Sequence, residues 1–555
     1  MSTIKFIPFA LLALGHGAFA QQPPTAASQM LQIPAIQMPQ PSAPAMEVRR
    51  DSAQAASVQD SARVVVRQLR VTGLQAFSEA EVLAVTGFKP GSSLSLTELR
   101  GMALQITDFY RSKGYFVAQA YLPAQDIRDG VLTIQVMEGR YGSVILRNQT
   151  GVSNGLADSL LGGLERGDVI TTRPLEERLL LLSDLPGVTV RSTLAPGATP
   201  GTSDLIVDMT PGQRVTGSID ADNAGNRYTG AYRLGATVNV NEPTGHGDVA
   251  SLRVMTAGTG LNYARASYQA QFGRARVGVA YSHLGYELGR EFESLGAHGT
   301  AKIASVYGSY PLVRSRDANL HAGLAFDAKT FDDRVDSTAT ATSKRARVLT
   351  ASLYGNTTDT LGAGGLNVFS LALSAGDIDL RTPAVQALDA ATARSDGRYN
   401  KFAFNLARLQ NLTGAVSLYA SVNGQIASKN LDASEKMELG GMYAVRAYPE
   451  GEAYADEGYV LTLEGRVLLP RTHASQRGQW QLIGFVDTGT VNTNRNPWAG
   501  GANRRTLSGA GVGLNWTVAN DFVVKAYYAH KLGHGVATSA PDTSGRFWIQ
   551  AVKYF

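Results

Sequence analysis

The pattern of hydrophobic and polar positions changes along the chain at about residue 213. Before this point, apolar residues recur at helical spacing between short extended runs. After it, apolar and polar residues alternate with a period of two, as in Tyr232–Val240 and Ala264–Phe272. Helical spacing indicates amphipathic helices, and alternation indicates strands with one wet face. The pattern therefore predicts a mixed α/β part followed by an all-β part.

Residues 63–140 are predicted to form one compact module with the order β-α-α-β-β. Both helices have a start signal, because Ser78 and Ser95 are each followed three residues later by a glutamate, the spacing of a capping box. Gly114 marks the end of the second helix. The predicted elements are a strand at Val64–Val71, helices after Ser78 and from Ser95 to Lys113, and strands at Tyr115–Leu122 and Val131–Met137.

Residues 141–212 repeat this order, although the residues themselves barely match. Pro174 stands in the first turn of the second helix, where proline is tolerated. The predicted elements are a strand around Val144–Leu146, helices at Asn154–Leu161 and from Thr172 to Leu185, and strands at Val188–Leu194 and Asp204–Met209. Two tandem modules of one architecture therefore precede the all-β part.

Residues 213–555 are predicted to form a transmembrane antiparallel β-barrel of about 16 strands, although about 14 or 18 would also fit. A soluble β-sandwich shows the same alternation. The barrel is favoured because long strand-like runs recur, whereas strands of soluble proteins mostly have about five or six residues. Arg233 and Arg265 lie on faces opposite the apolar ones and would point into a wet lumen. The last strand, Arg546–Phe555, would close the barrel against the first.

The N-terminus carries an export signal. Lys5 precedes a short apolar run and Ala18–Ala20 is an A-x-A cleavage site, so residues 1–20 are predicted to be a signal peptide. Residues 21–62 read as a proline-rich linker, in which Met46–Asp60 is free of Pro and Gly and could form a short helix. No stretch reaches the length of about 18 apolar residues that a membrane-spanning helix needs.

Composition fits an exported barrel and excludes several other classes. Hydrophobic residues make up 44% of the chain and charged residues only 17%, as alternating strands between lipid and water would give. The formal net charge of +5 is too small to indicate nucleic-acid binding. The absence of cysteine excludes disulfides, cysteine-ligated zinc and thiol catalysis.

The sequence predicts neither an enzyme nor a cofactor or metal site. It contains no phosphate-binding loop of the G-x(4)-G-K-[ST] type. Gly151–Gly155 matches G-x-S-x-G, but Ser153 is predicted to cap the helix that begins at Asn154. His530 and His534 have i, i+4 spacing, but no glutamate lies between them and their surroundings are typical of a solvated loop.

Two segments of the all-β part carry the clearest motifs. Leu439–Pro449 reads L-G-G-M-Y-A-V-R-A-Y-P, and Gly484–Gly489 reads G-F-V-D-T-G. They resemble the loop and strand motifs of the Omp85 superfamily, and the two upstream modules resemble its POTRA domains. Tyr115, the Leu122–Gln125 turn and the Glu138–Gly139 junction are similar to the first POTRA domain of the two-partner secretion (TpsB) branch. The resemblance extends from the first module to the end of the sequence.

The resemblance implies that the first motif lies on a loop folded back into the barrel lumen, where Arg446 pairs with Asp487. A guanidinium and a carboxylate can form two parallel hydrogen bonds, and loss of one partner of a buried pair costs about 3–5 kcal/mol. Gly484 and Gly489 are expected to leave room for the loop tip. Ala447 departs from the family pattern, which has glycine there, and a left-handed backbone at this alanine would be strained. The expected site residues are Gly440, Gly441, Val445, Arg446, Ala447 and Tyr448 on the loop, and Gly484, Phe485, Asp487 and Gly489 on the strand.

By this resemblance, the protein is expected in the outer membrane of a Gram-negative cell, with its POTRA domains in the periplasm. The expected function is export of one large secreted partner, such as a haemagglutinin, haemolysin or adhesin, captured on POTRA edge strands. The other expected partners are the lipid of the outer membrane and the barrel assembly machinery that inserts the protein itself. Many exporters of this branch have an N-terminal plug helix, which could only be short in so proline-rich a linker. Two alternatives stay open: a factor that inserts other barrels, and a diffusion porin.

Overall fold

The computed structural model of the protein describes residues 23–34, 45–48, 63–471, 473, 475–498 and 500–555. The predicted signal peptide and most of the proline-rich linker lie outside the described residues. The described chain consists of two lead-in segments, two α/β modules and a closed barrel. No helix in these described ranges has the length and apolar character needed to cross a membrane.

The lead-in contains one helix and one strand. Helix α1 spans Ala26–Leu31 and begins at Thr25, whose hydroxyl accepts a hydrogen bond from the Ser28 amide. Strand β1 spans Ala45–Val48. The helix predicted for Met46–Asp60 is therefore wrong at residues 46–48, and the remainder of that segment lies outside the described residues.

The first module has the predicted helices, and both capping boxes form, at Ser78 and Ser95. Its strands make a three-stranded sheet of order β3-β6-β5 and a separate β2-β4 pair. The elements are β2 (Arg63–Val66), β3 (Gln68–Thr72), α2 (Glu79–Ala84), β4 (Ser92–Ser95), α3 (Leu96–Ser112), β5 (Gln119–Tyr121) and β6 (Val131–Met137).

Two strands of the first module are shorter than predicted. The expected strand at Val64–Val71 is divided at Arg67, because the amides of Arg67 and Gln68 both donate to the Gly130 carbonyl. The expected strand at residues 115–122 keeps only β5, since the Ala118 amide donates to the Tyr115 carbonyl in a turn that follows α3.

The second module repeats the fold and adds a strand from the lead-in. Ser153 caps α4, as predicted. The sheet order is β1-β8-β9-β7, and β1 lies parallel to β8 with Ala45 opposite Arg191 and Val48 opposite Leu194. The backbone groups of the β8 edge thus make residues 45–48 extended, against their helix-permissive composition. The elements are β7 (Arg140–Asn148), α4 (Asn154–Leu161), α5 (Thr172–Ser183), β8 (Val188–Pro196) and β9 (Thr202–Pro211).

The all-β part is a closed antiparallel barrel, which in the described residues comprises β10–β20 and β23–β27, a total of 16 strands. It closes between β10 and β27, where Ser218 lies opposite Tyr554 and Asp222 opposite Gln550. The elements are β10 (Val215–Asp222), β11 (Arg233–Asn241), β12 (Val249–Thr256), β13 (Leu261–Phe272), β14 (Ala275–Glu287), β15 (Ala297–Arg314), β16 (Ala318–Val335), β17 (Thr340–Asp359), β18 (Gly365–Leu380), α6 (Pro383–Ala391), β19 (Gly397–Asn411), β20 (Val416–Ala427), β21 (Met437–Leu439), β22 (Ala453–Ala455), β23 (Glu457–Leu468), β24 (Gln479–Asn492), β25 (Arg504–Val518), β26 (Phe522–Lys531) and β27 (Gly545–Tyr554), with short 3₁₀ turns at Arg290–Leu295, Asp336–Thr338 and Ala433–Glu435.

The two faces of the barrel wall differ in polarity, as the alternation predicts. Arg233 and Arg265 both lie on the inner face, where Arg233 pairs with Asp222 at 2.8 Å and Arg265 donates to the Ser282 hydroxyl at 3.1 Å. The outer face presents apolar side chains such as Leu324 and Leu373, which are more than half exposed. One expectation fails locally, since His530 lies in β26 and not in a loop.

Candidate functional site: a loop inside the barrel

The connection between β20 and β23, residues 428–456, folds into the barrel and is called the lumen loop below. Its strands β21 and β22 pair with each other, and its tip lies between them. Gly440 and Gly441 begin the tip with φ of +109° and +91°, a left-handed turn that glycine permits. The Gly441 amide donates to the Tyr448 carbonyl, which closes the tip. Val445 and Tyr448 are fully buried, so the tip is packed and not free in the lumen.

The structure brings Arg446 of the tip and Asp487 of β24 together. The Arg446 Nε lies 2.8 Å from one carboxylate oxygen of Asp487, and the Nη2 lies 2.8 Å from the other. The Arg446 backbone amide donates to the same carboxylate at 3.2 Å. Arg446 is 5% exposed and Asp487 is fully buried. This is the parallel two-bond arrangement that fixes both position and orientation of a guanidinium.

Arg446 has further partners that the sequence analysis did not identify. Its Nη1 lies 2.8 Å from a carboxylate oxygen of Glu464 on β23, and its guanidinium carbon lies 3.5 Å from the centre of the Phe485 ring. Thr462 donates to Asp487 at 3.0 Å, and the indole of Trp548 donates to the Arg446 carbonyl at 2.7 Å. Two carboxylates and a ring face therefore replace the water that this cation loses on burial.

Part of this set could have been found in the sequence. Thr462 and Glu464 have the same parity on β23, so alternation places both on one face. Which residue faces Asp487 depends on the register of β23 and β24, which sets Thr462 directly opposite Asp487. Register between strands is not contained in the motif itself, so Glu464 was missed.

Glycines make room for the loop, but only one of the two expected positions contributes. A Cβ at Gly489 would lie 2.4 Å from the Leu439 side chain at the base of the tip, as expected for a close approach. A Cβ at Gly484 would meet nothing within 4 Å, because this residue is exposed on the outer face. The expectation for Gly484 was therefore wrong, and alternation along β24 explains the result: Phe485, Asp487 and Gly489 point inward and Gly484 does not.

The alanine at position 447 is accommodated without a left-handed backbone. Ala447 does not have a positive φ, so its backbone is free of the strain that a left-handed conformation would cause. It is fully buried, and its Cβ would lie 2.4 Å from a Cβ at Gly509 on β25. The glycine that the tip requires is thus on the wall and not on the tip.

Ion pairs also fix the stem of the lumen loop to the wall. The Glu435 carboxylate receives Lys329 at 2.7 Å and Lys401 at 2.9 Å. Asp432 pairs with Lys344 at 2.8 Å. These contacts come from β16, β17 and β19, whereas the tip contacts β23, β24 and β27. The loop therefore crosses the lumen and is held on both sides.

Helix α1 also lies inside the barrel, packed against β14, β15 and β16. The Ala26 amide donates to Asp333 at 2.8 Å, and the Thr229 hydroxyl donates to the Gln29 side chain at 2.7 Å. At its end, the Gln32 carbonyl accepts a hydrogen bond from Arg233 at 2.9 Å, while the Gln32 side chain reaches Tyr454 of the lumen loop. The short helix thus connects the wall with the lumen loop.

Within the first module, the buried Glu138 carboxylate holds the end of β6 to the loop before α2 and to α3. Glu138 accepts hydrogen bonds from the amides of Gln75 and Ala76 at 2.7 and 2.8 Å and from the Tyr110 hydroxyl at 3.0 Å. Burial and the Glu138 carboxylate together raise the pKa of Tyr110, so the phenol remains a donor. This explains why the Glu138–Gly139 junction belongs to the module's motif.

Comparison with known sequences identifies relatives along most of the chain. Residues 201–516 match the family described as haemolysin secretion/activation protein ShlB/FhaC/HecB, and residues 64–139 match the ShlB-type POTRA domain. The heme/hemopexin transporter protein HuxB of Haemophilus influenzae is 28% identical over 474 residues, 84% of this chain and 82% of that protein. The outer membrane transporter CdiB of Dickeya dadantii is 23% identical over 408 residues, 71% of this chain and 70% of that protein.

Solved structures show the same fold. CdiB from Escherichia coli has a TM-score of 0.67 at 20% identity and covers 91% of this chain and 92% of its own. BamA from Haemophilus ducreyi lacking POTRA domains 1–3 has a TM-score of 0.55 at 14% identity, and covers 88% of this chain and 100% of its own. At these identities the likeness establishes the architecture alone.

Proposed function

Because the chain belongs to the haemolysin secretion/activation family ShlB/FhaC/HecB, we propose that it binds one large secreted partner in the periplasm and exports it through its barrel. The protein is an outer-membrane transporter of the TpsB type, with its POTRA domains in the periplasm. The observation that carries the proposal is the filling of its lumen. A closed barrel contains the lumen loop and α1, and α1 is held by polar contacts that can be exchanged.

The POTRA domains offer strand edges that suit an unfolded partner. In the described sheets, β3 and β5 are the edges of the first domain and β7 is one edge of the second. An unpaired edge binds an extended peptide as an added strand, with backbone hydrogen bonds for affinity and alternate side chains for selectivity. Strand β1 pairs with the β8 edge in this manner, so that edge has the geometry to accept an added strand.

Passage of the partner requires a path through the lumen. Helix α1 has only six residues, packs on the wall through the small side chains of Ala26 and Ala27 and through Met30, and forms single hydrogen bonds with the wall. Arg446, in contrast, is desolvated between two carboxylates, and removal of one partner from such a buried arrangement costs about 3–5 kcal/mol. We therefore assign α1 as the element that leaves the lumen, while the tip of the lumen loop stays anchored to β23 and β24. Folding of the partner outside the cell then makes passage one-way.

Deletion of residues 63–212 tests this proposal. The truncated protein is expected to reach the outer membrane and release none of its partner, because capture is lost. Immunoblotting of membranes shows whether the barrel is present, and the amount of partner in the medium is the readout. Normal secretion by a correctly inserted truncated protein would contradict the proposal.

Insertion of other barrels is the second candidate, favoured by the fold that the chain shares with BamA. The two candidates differ in what is lost when the protein is depleted: many outer-membrane proteins for an insertase, one exoprotein for an exporter. The porin alternative is disfavoured, since a diffusion pore needs an open lumen and this one contains the lumen loop and α1.

A further inference from the structure

A group of cations lies on the outer face of the barrel, toward the extracellular ends of its strands. Lys302 of β15, Arg345 and Arg347 of β17, and Arg398 of β19 are exposed, and together they are called the basic patch below. Strand direction fixes the height of these residues. The second POTRA domain contacts the turn between β15 and β16, where Arg314 pairs with Asp184, so that end is periplasmic and the patch lies away from it.

The register of the strands places the basic patch directly above an apolar band. One outward row of cross-strand neighbours consists of Val279, Val306, Phe326 and Leu349, whose exposed fractions are 52, 54, 43 and 47%. Arg347 stands in the next outward row, and Lys302 and Arg345 stand one row further. Exposed apolar rows face lipid, so the cations lie at the boundary between hydrocarbon and head groups.

Neighbouring carboxylates do not neutralise the charges of the basic patch. Among the described residues, none of the four cations forms an ion pair or hydrogen bond. Three outward carboxylates are close: Asp379 lies opposite Arg345 in register, Asp377 lies between Arg347 and Arg398, and Asp332 lies in the outward row just above Lys302 and Arg345. Asp379 is paired with Arg381 at 3.0 Å. Four cations against Asp377 and Asp332 still leave the patch with an excess of positive charge.

On the far side of the barrel, the described strands β24 and β25 carry hydroxyl groups at the same height. There, Thr488 of β24 and Ser508 of β25 share a hydrogen bond of 2.8 Å just above Val486, and Thr490 and Thr506 share one of 2.9 Å in the row above. Hydroxyl pairs satisfy each other and attract no anion. At this height β24 and β25 therefore differ from β15, β17 and β19, which carry the cations.

We propose that the basic patch binds the phosphate groups of lipopolysaccharide in the outer leaflet of the membrane. Arginine forks match phosphate oxygens, and cations clustered at a membrane surface bind anionic head groups with about 1 kcal/mol for each. The apolar row below would contact the acyl chains of the same lipid. Lipid binding at this outer wall is independent of which partner the barrel exports.

The test uses the purified full-length protein in detergent micelles and bisphosphorylated lipid A as the probe. The variant Lys302→Gln/Arg345→Gln/Arg347→Gln/Arg398→Gln is expected to bind the probe at least about tenfold more weakly than the natural protein, because four phosphate contacts are lost. A matched control removes four exposed cations from the first POTRA domain, by Arg67→Gln/Lys89→Gln/Arg100→Gln/Arg128→Gln, and is expected to bind as tightly as the natural protein.

Two further arms identify the ligand chemistry. Dephosphorylated lipid A should bind the natural protein as weakly as the four-site barrel variant binds the phosphorylated form, and phosphatidylglycerol should compete poorly. Unchanged heat-modifiability on gels shows that the variants keep a closed barrel. Equal binding by the barrel variant, an equal loss in the POTRA control, or equal competition by phosphatidylglycerol would each overturn the assignment.

Discussion

At the residue scale, Arg446 joins the tip of the lumen loop to two strands of the wall. Replacement of Arg446 by alanine leaves Asp487 as a buried carboxylate without its cation, whereas Glu464 keeps Arg466, and the cost is about 3–5 kcal/mol in docking of the tip. We expect conductance in planar bilayers to become larger and more variable, and secretion of the partner to fall. Arg446→Lys keeps the positive charge but not the planar guanidinium. Its conductance and secretion should therefore lie between those of Arg446→Ala and those of the natural protein.

A matched control is Arg408→Ala, which breaks an arginine–aspartate pair that is about one-third exposed at the periplasmic side of β19. Exposed pairs contribute about 0–1 kcal/mol, so conductance and secretion should stay as in the natural protein. Equal behaviour of the Arg446→Ala and Arg408→Ala variants would contradict the anchoring role of Arg446.

The contact between Ala447 and Gly509 gives a second prediction. Gly509→Ala places a methyl group 2.4 Å from the Ala447 Cβ, an overpacking that costs about 1–3 kcal/mol and pushes the tip from the wall. Ala447→Gly should be nearly neutral alone and should restore the Gly509→Ala variant, as measured by secretion and conductance. Gly484→Ala, which adds a methyl group in open space, serves as the control. Failure of Ala447→Gly to rescue would show that the tip does not pack as described.

Single residues also show what sequence could and could not predict. The pairing of Arg446 with Asp487 followed from the family motif, but Glu464, Phe485 as a ring partner and Gly509 depend on the register of β23, β24 and β25. The motif alone misplaces Gly484, since the alternation of β24 puts this residue on the outer face. Local patterns thus indicate the chemistry, whereas contacts across strands decide the partners.

At the element scale, local signals predicted the POTRA helices well, since each capping box lies within four residues. They failed for residues 45–48, whose extended form depends on β8, more than a hundred residues away. Local sequence also does not predict the position of α1, because the contacts of this helix are with barrel strands and the lumen loop.

The pairing of β1 with β8 gives an element-scale prediction. Met46→Pro/Val48→Pro removes two backbone donors and should detach β1 from β8. Amides of Arg191–Leu194 are then expected to exchange with deuterium faster, and binding of an extended partner peptide to the second POTRA domain should rise. Met46→Ala/Val48→Ala keeps the backbone donors, so deuterium exchange and peptide binding should stay as in the natural protein. Unchanged exchange in the proline variant would contradict the observed pairing.

At the scale of the whole molecule, acidic groups of the second POTRA domain meet arginines on two periplasmic turns of the barrel. Asp184, at the end of α5, accepts two hydrogen bonds of 2.7 Å from Arg314. Glu176 of α5 pairs with Arg316 at 2.7 Å, and Glu177 pairs with Arg274. These contacts fix the direction in which the POTRA domains point from the pore mouth.

A charge exchange tests this junction. Arg314→Asp should weaken docking by about 1.5–3 kcal/mol and reduce secretion, because two charge-assisted bonds are replaced by repulsion from Asp184. The variant Arg314→Asp/Asp184→Arg restores opposite charges and should recover most secretion. If the double variant were no better than the single ones, the junction would not act through this pair.

The central claim is that this barrel exports one partner, and depletion of the protein tests it most directly. Quantitative proteomics of outer membranes and culture medium after depletion should show one large exoprotein missing from the medium, with the other outer-membrane barrels at their normal amounts. A general loss of outer-membrane barrels, with no exoprotein lost selectively, would contradict export and assign the protein to barrel insertion.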